Sequence, residues 1–132
     1  MMETFASKWL LPVLLSAIAF LAPIHVLMAS VGFLIFVDLV TGILAAKKRG
    51  EAITSRAMSR TIYKVVCYQL AVISGIVLEG LIPGGLSIAK LCAGAVALVE
   101  FKSFLENVQT LTGVDLLTSV LAKVQKREGD GQ

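Results

Sequence analysis

The chain has 132 residues, of which 57% are hydrophobic and only 16% charged, and its mean hydropathy is +0.87. A soluble domain averages about 25% charged and about 45–50% apolar residues. The apolar surplus here is gathered into blocks, which excludes an ordinary aqueous core and points to one small membrane domain. The net charge of +3 matters through its placement, described below.

Residues 1–8 are a short polar start, and residues 9–22 are apolar and end at Pro23. Residues 24–46 are apolar again, broken only by His25, Ser30, Asp38 and Thr41. About 20 residues already span about 30 Å of hydrocarbon, so 9–46 is too long for one crossing. The chain is therefore expected to fold back at Ala22-Pro23. Lys8 would snorkel to the interface and Trp9 would anchor there. A cleaved signal peptide is a competing reading of this start. It is disfavoured by the acidic Glu3 and by the apolar run that follows at once.

Lys47 to Arg60 reads as a polar loop without helical period, carrying Lys47, Lys48, Arg49, Arg56 and Arg60 against the single acid Glu51. Lys64 follows. Residues 61–82 form the next apolar run, with Glu79 near its end, and Pro83-Gly84-Gly85 is a turn signal. Residues 86–105 are the last and weakest span, interrupted by Lys90, Glu100 and Lys102. Beyond Gly113 the period becomes helical. Val114, Leu117, Val120, Leu121 and Val124 share one face, opposite Asp115, Ser119, Lys123 and Lys126. That pattern suits the membrane surface or a partner helix. Glu128 to Gln132 read as a frayed tail.

Basic loops stay in the cytoplasm. The segment 47–64 and the end bearing Lys123, Lys126 and Arg127 should lie inside, while the connections near Pro23 and Pro83 carry no lysine or arginine. The expected fold is all-α: a helical integral membrane protein with four transmembrane helices (about 9–22, 24–46, 61–82 and 86–105), the alternative being two crossings plus surface helices, which would leave Leu10 to Leu21 or Leu91 to Val99 lying flat. They form a transmembrane domain over 1–113, with both termini cytoplasmic. Residues 114–132 form a C-terminal amphipathic helix and tail.

A carboxylate inside a span costs about 2.5–3.5 kcal/mol on insertion scales and marks a working site by default. Asp38 is that residue. It shares a helical face with Gly42, with Thr41 beside them, and Gly42 lets a neighbouring helix approach. Two readings stay open: a contact for helix association or a pore lining, and a structural ion pair that fixes one fold. Lys64 and Lys102 are the candidate partners. Glu79 and Lys90 flank the turn at similar depth, as an ion pair or as two headgroup residues. Glu100, Ser103 and Asn107 follow i, i+3, i+7 spacing, with Glu106 beside them. They form either a solvated helix exit or an interhelical contact.

Small residues repeat at four-residue spacing in Gly42/Ala46, Ala71/Gly75 and Ala93/Ala97, which favours close helix packing. Cys67 and Cys92 lie in apolar runs and imply neither a disulfide nor a metal site. His25 alone reads as an interfacial residue. There is no metal-ligand cluster, no phosphate loop and no nucleophile with a base. The chain is therefore read as no enzyme, without cofactor or metal. Its basic loop is too short and too poor in aromatics for nucleic acid.

Two segments carry a resemblance. Asp38-Leu39-Val40-Thr41-Gly42-Ile43-Leu44-Ala45-Ala46, continuing through the basic stretch to Thr54-Ser55, is one. Val99-Glu100-Phe101-Lys102-Ser103-Phe104-Leu105-Glu106-Asn107, followed by Gly113, is the other. Together they resemble the phage holin family of the toxin-secretion/phage-lysis type, over about Leu34 to Gly113. Two departures stand out: Glu79 lies near the end of the third span, where the family often has an acid within it, and the loop is less lysine-rich.

The resemblance implies a non-catalytic protein of the bacterial inner membrane. It would form homo-oligomers and open lesions that collapse the membrane potential and release a cell-wall hydrolase at lysis. It further implies the lipid bilayer and itself as partners, a functional partnership with an endolysin, and room for an antiholin. Asp38, Thr41, Gly42, Glu100, Ser103, Glu106 and Asn107 would then form the association or pore element. The alternative is a non-pore scaffold or accessory subunit whose basic loop and amphipathic helix dock a cytoplasmic or secretion partner.

Overall fold

The computed structural model describes residues 6–129. The polar start before Ala6 and the tail beyond Gly129 lie outside the described residues. After a π-helical turn over Ala6–Leu10 come α1 (Leu11–Leu21), a 3₁₀ turn (Ala22–Ile24), α2 (His25–Arg49), α3 (Ser55–Leu81), α4 (Ile88–Thr112) and α5 (Leu116–Gly129). Helices α2, α3 and α4 pack together as a bundle, and α5 packs on α4.

The reversal expected at Ala22-Pro23 is not formed. Lys8–Arg49 runs as one helical stretch of 42 residues. Pro23 sits early in the 3₁₀ turn, where its missing N–H and fixed φ are tolerated. His25 Nδ1 donates to the Ala22 carbonyl at 2.6 Å and ties the joint together. Every residue of α1 but Leu21 is exposed, so no described residue buries this largely apolar helix.

The loop is shorter than its composition suggested. The basic residues Lys47, Lys48 and Arg49 belong to the last turn of α2, where cations complement the helix dipole. Gly50 ends that helix at φ +75, a conformation cheap only for glycine. Thr54 then caps α3, its hydroxyl accepting from Ala57 N at 3.3 Å. Arg56 and Arg60 therefore stand on helix rather than loop. At the other end, α4 runs seven residues beyond Leu105 to Thr112. Glu100 is thus carried into the bundle instead of marking a helix exit.

The core is a column of Ile24, Val31 and Ile35 from α2 and its entry, Val72 from α3, and Ala89 and Ala93 from α4. Small residues set its width. A Cβ on Gly75 would lie 2.7 Å from Ala89 Cα and 2.8 Å from Ala89 N, so the α3 and α4 backbones touch there. Among the described residues, two helical stretches, Lys8–Arg49 and Ser55–Leu81, are long and apolar enough to cross a membrane. The charges of α4 keep it out of that class.

Candidate functional site

The polar residues that interrupt the apolar runs meet at one level of the bundle. Asp38 projects from α2, Lys64 from α3, and Glu100 and Asn107 from α4. Lys64 Nζ donates to Asp38 Oδ2 at 3.1 Å and to Glu100 Oε2 at 3.2 Å. Glu100 Oε1 also lies 3.1 Å from Nζ as an ion contact, but receives no directed hydrogen bond. The Glu100 side chain is 0% exposed, that of Asp38 12% and that of Lys64 28%.

Asn107 closes the network. Its Nδ2 donates to Asp38 Oδ1 at 3.0 Å and lies 3.3 Å from Thr41 Oγ1. Gly42 makes room for it: a Cβ there would meet Asn107 Nδ2 at 3.5 Å. Thr41 satisfies its own hydroxyl by donating to the Val37 carbonyl at 2.8 Å. One ammonium thus serves two carboxylates, with an amide on the second oxygen of Asp38. A buried charge is costly unless paired and hydrogen-bonded. Lys64 is therefore the residue on which the other two depend.

Asp38, Lys64 and Asn107 of the cluster line a cleft of about 450 Å³ at the basic end of the bundle, while Glu100 stays buried behind them. Asp38, Gly42, Lys64, Ser103 and Asn107 line its inner part, and Arg49, Thr54 and Arg60 its mouth. At the rim, Arg49 makes two bonds to Glu51, at 2.7 and 2.9 Å. These bonds raise the Arg49 pKa and hold the Glu51 carboxyl below its ordinary range.

Not every candidate joins the site. Lys102, the second proposed partner of Asp38, points away. It pairs with Glu106 at 3.3 Å on the exposed side of α4, because the two are one turn apart. Ser103 lines the cleft, while Glu106 stays outside it. The expected Glu79–Lys90 pair is absent. Glu79 Oε1 instead accepts from Ala89 N at 2.7 Å and Ser87 Oγ at 3.4 Å. An acid at an α4 N-terminus satisfies free amides and the helix dipole better than a flexible lysine would. Lys90 is exposed and Lys47 is solvated at the rim.

Two functional-looking contacts escaped the sequence. Gln69 Nε2 donates to the Met28 carbonyl at 2.9 Å, bridging α3 to α2 in the middle of the bundle. Its signal was a lone amide inside an apolar run. Lys48 Nζ donates to the Leu111 carbonyl at 2.8 Å and closes the end of α4; nothing in the spacing pairs these two. Cys67 and Cys92 are both free thiols. Among the described residues no group of His, Cys, Asp and Glu could hold a metal.

An apolar helical bundle with an ionic cluster buried between its helices is the architecture of a membrane protein. The chain belongs to the bacteriophage holin family, whose family model matches residues 16–127. That family permeabilises membranes and is non-enzymatic, and the chain's role is in general terms that of a phage holin. No curated protein and no solved structure matches the chain.

Proposed function

We propose that this holin inserts as a multi-pass protein in the bacterial inner membrane and assembles into homo-oligomers. At lysis these open lesions that let an endolysin, the cell-wall hydrolase, reach its substrate. An antiholin would act on the same assembly. The observation that carries the reading is the Asp38–Lys64–Glu100 cluster, buried at the meeting of three apolar helices and open to a cleft at one end.

In a closed protomer the three charges neutralise one another as far as one lysine allows. When helices part, each carboxylate needs a new partner, either water or a neighbouring copy. That need favours an aqueous lesion lined by Asp38, Thr41, Gly42, Glu100, Ser103 and Asn107 over lipid contact, because bare charge in hydrocarbon is expensive. Glu106, with Lys102, would stand at the lesion rim. Membrane potential biases the balance by about 2.3 kcal/mol per charge moved across 100 mV.

The topology follows from charge and length. The basic ends of α2 and α3 and the C-terminal helix belong in the cytoplasm. A 42-residue helix would be about 63 Å long, twice the hydrocarbon thickness. Residues 9–21 are too apolar for water. The joint at Ala22–Ile24 therefore bends in a bilayer, giving four crossings with both termini inside.

Inducible expression in bacteria tests the lesion, with potential and viability followed together. Collapse of both at a set time is expected. Cells that hold abundant inserted protein, keep their potential and go on growing would rule it out. Asp38→Leu should shift lysis timing or oligomer size; unchanged timing and cross-linking remove Asp38 from the mechanism.

A further inference from the structure

The apolar surface of α1 to α4 has lipid to cover it, but that of α5 does not. Helix α5 has 14 residues and is too charged to enter the hydrocarbon. It follows a turn at Gly113, where φ is +76. Its first turn is held by Asp115, which accepts from Thr118 N at 3.0 Å and Thr118 Oγ1 at 2.6 Å. Val120, Leu121 and Val124 are then left 51%, 53% and 50% exposed. Within the chain α5 packs along α4.

Charge says what covers this face. Lys123 stands at the edge of this face beside Val120, Lys126 lies on the opposite side with Ser119, and both are exposed. The Lys48–Leu111 bond puts the C-terminal ends of α2 and α4 side by side, so Lys47, Arg56 and Arg60 belong to the same end of the molecule. Among them Ile53 and Met58 are 54% and 42% exposed. Among the described side chains the acids at this end are engaged: Glu51 with Arg49, Glu106 with Lys102, and Asp115 in the α5 cap. What remains is a basic end of the molecule that carries isolated apolar side chains. The complement of that pattern is a layer negative at its surface and apolar just beneath.

We propose that α5 lies on the membrane surface beside its own bundle. Val120, Leu121 and Val124 enter the headgroup–acyl boundary, and Lys123 at its edge engages anionic phospholipid headgroups. Amphipathic helices bind in this way through apolar burial plus attraction to anionic lipid. Each lysine near such a leaflet adds about a fivefold factor in partitioning. The surface would act in the intact bundle, whether or not lesions form.

The test uses the full chain with Cys67→Ser and Cys92→Ser, reconstituted in phosphatidylcholine vesicles with or without phosphatidylglycerol. Val120→Cys and, separately, Ser119→Cys carry a nitroxide label. The expected result with phosphatidylglycerol is a Val120 label open to oxygen but shielded from a water-soluble nickel chelate, and a Ser119 label open to the chelate. Removing phosphatidylglycerol, or adding Lys123→Gln, should reduce the shielding at least several-fold. Equal chelate access at both positions puts α5 in water and overturns the proposal. A Val120 label shielded from oxygen and chelate alike means that protein covers the face, which also overturns it. Shielding that ignores phosphatidylglycerol and Lys123 refutes the anionic headgroup.

Discussion

Lys64 of α3 lies 3.1 Å from Asp38 of α2 and 3.1 Å from Glu100 of α4, so a single ammonium joins all three helices of the bundle. Each helix could satisfy its backbone alone. The charges cannot be satisfied within one helix, and their pairing fixes both the register and the rotation of α2, α3 and α4.

Replacing Lys64 leaves two carboxylates facing each other in an apolar bundle. Lys64→Met should destabilise the protomer by about 3–5 kcal/mol, the cost of breaking a buried pair from one side. Lys102→Met removes only an exposed pair and should change stability by no more than about 0.5 kcal/mol. Reversible unfolding in mixed detergent, followed by circular dichroism, compares them. Equal effects would mean that the cluster does not hold the bundle.

Asn107 supplies the one amide to Asp38. Asn107→Leu should cost about 1–3 kcal/mol, because it leaves Asp38 Oδ1 without a donor. In an Asp38→Leu background the same change should cost much less. A double-mutant cycle by the same unfolding assay reads the coupling. A coupling near zero would show that the 3.0 Å contact does not contribute.

Gly75 and Gly80 occupy the same helix in opposite surroundings. Gly75→Ala pushes a methyl into the Ala89 backbone and should cost about 1–3 kcal/mol as overpacking. Gly80→Ala meets nothing within 4 Å and should be neutral or stabilising by up to about 1 kcal/mol through helix propensity. Thermal midpoints in detergent should move in opposite directions.

Glu79 acts as a cap for the start of α4. Glu79→Leu should cost about 0.5–2 kcal/mol, in the range of other lost caps, and loosen amide exchange at Ala89. Lys90→Leu should leave both unchanged. A Lys90 effect matching that of Glu79 would restore the ion pair in place of the cap.

The Asp115 cap gives a pH dependence with a definite sign. Its bonds from Thr118 hold the carboxyl below its ordinary range. A group with a lowered folded pKa adds stability that is fully present above its unfolded value, near about 3.9. That stability is lost as pH falls through the folded value. Protection of the Leu116–Ser119 amides against exchange, relative to free amides at the same pH, should therefore fall as pH drops through that window, while Asp115→Asn should show no such acid step.

Composition and periodicity carried most of the architecture. The apolar runs became α1 to α4 because a lipid-facing segment must satisfy its backbone internally, which leaves the helix as the only local solution. The period after Gly113 became α5 for the same local reason, an apolar stripe with a cap before it. Boundaries moved where a cap outranked composition. Thr54 starts α3 within a basic stretch that reads as loop, and Gly50 stops α2 later than the last apolar residue.

Asp38 was visible as a site because a carboxylate among apolar neighbours has few other reasons to be there. Its choice of Lys64 over Lys102 was not visible, since both lie at suitable depth in the sequence. Helix rotation settled it, turning Lys102 outward towards Glu106. The same is true of Glu79, Gln69 and Lys48. Hydropathy is a property of single segments and survives being read along one dimension. Pairing depends on which faces meet across helices many residues apart, and packing in three dimensions decides that.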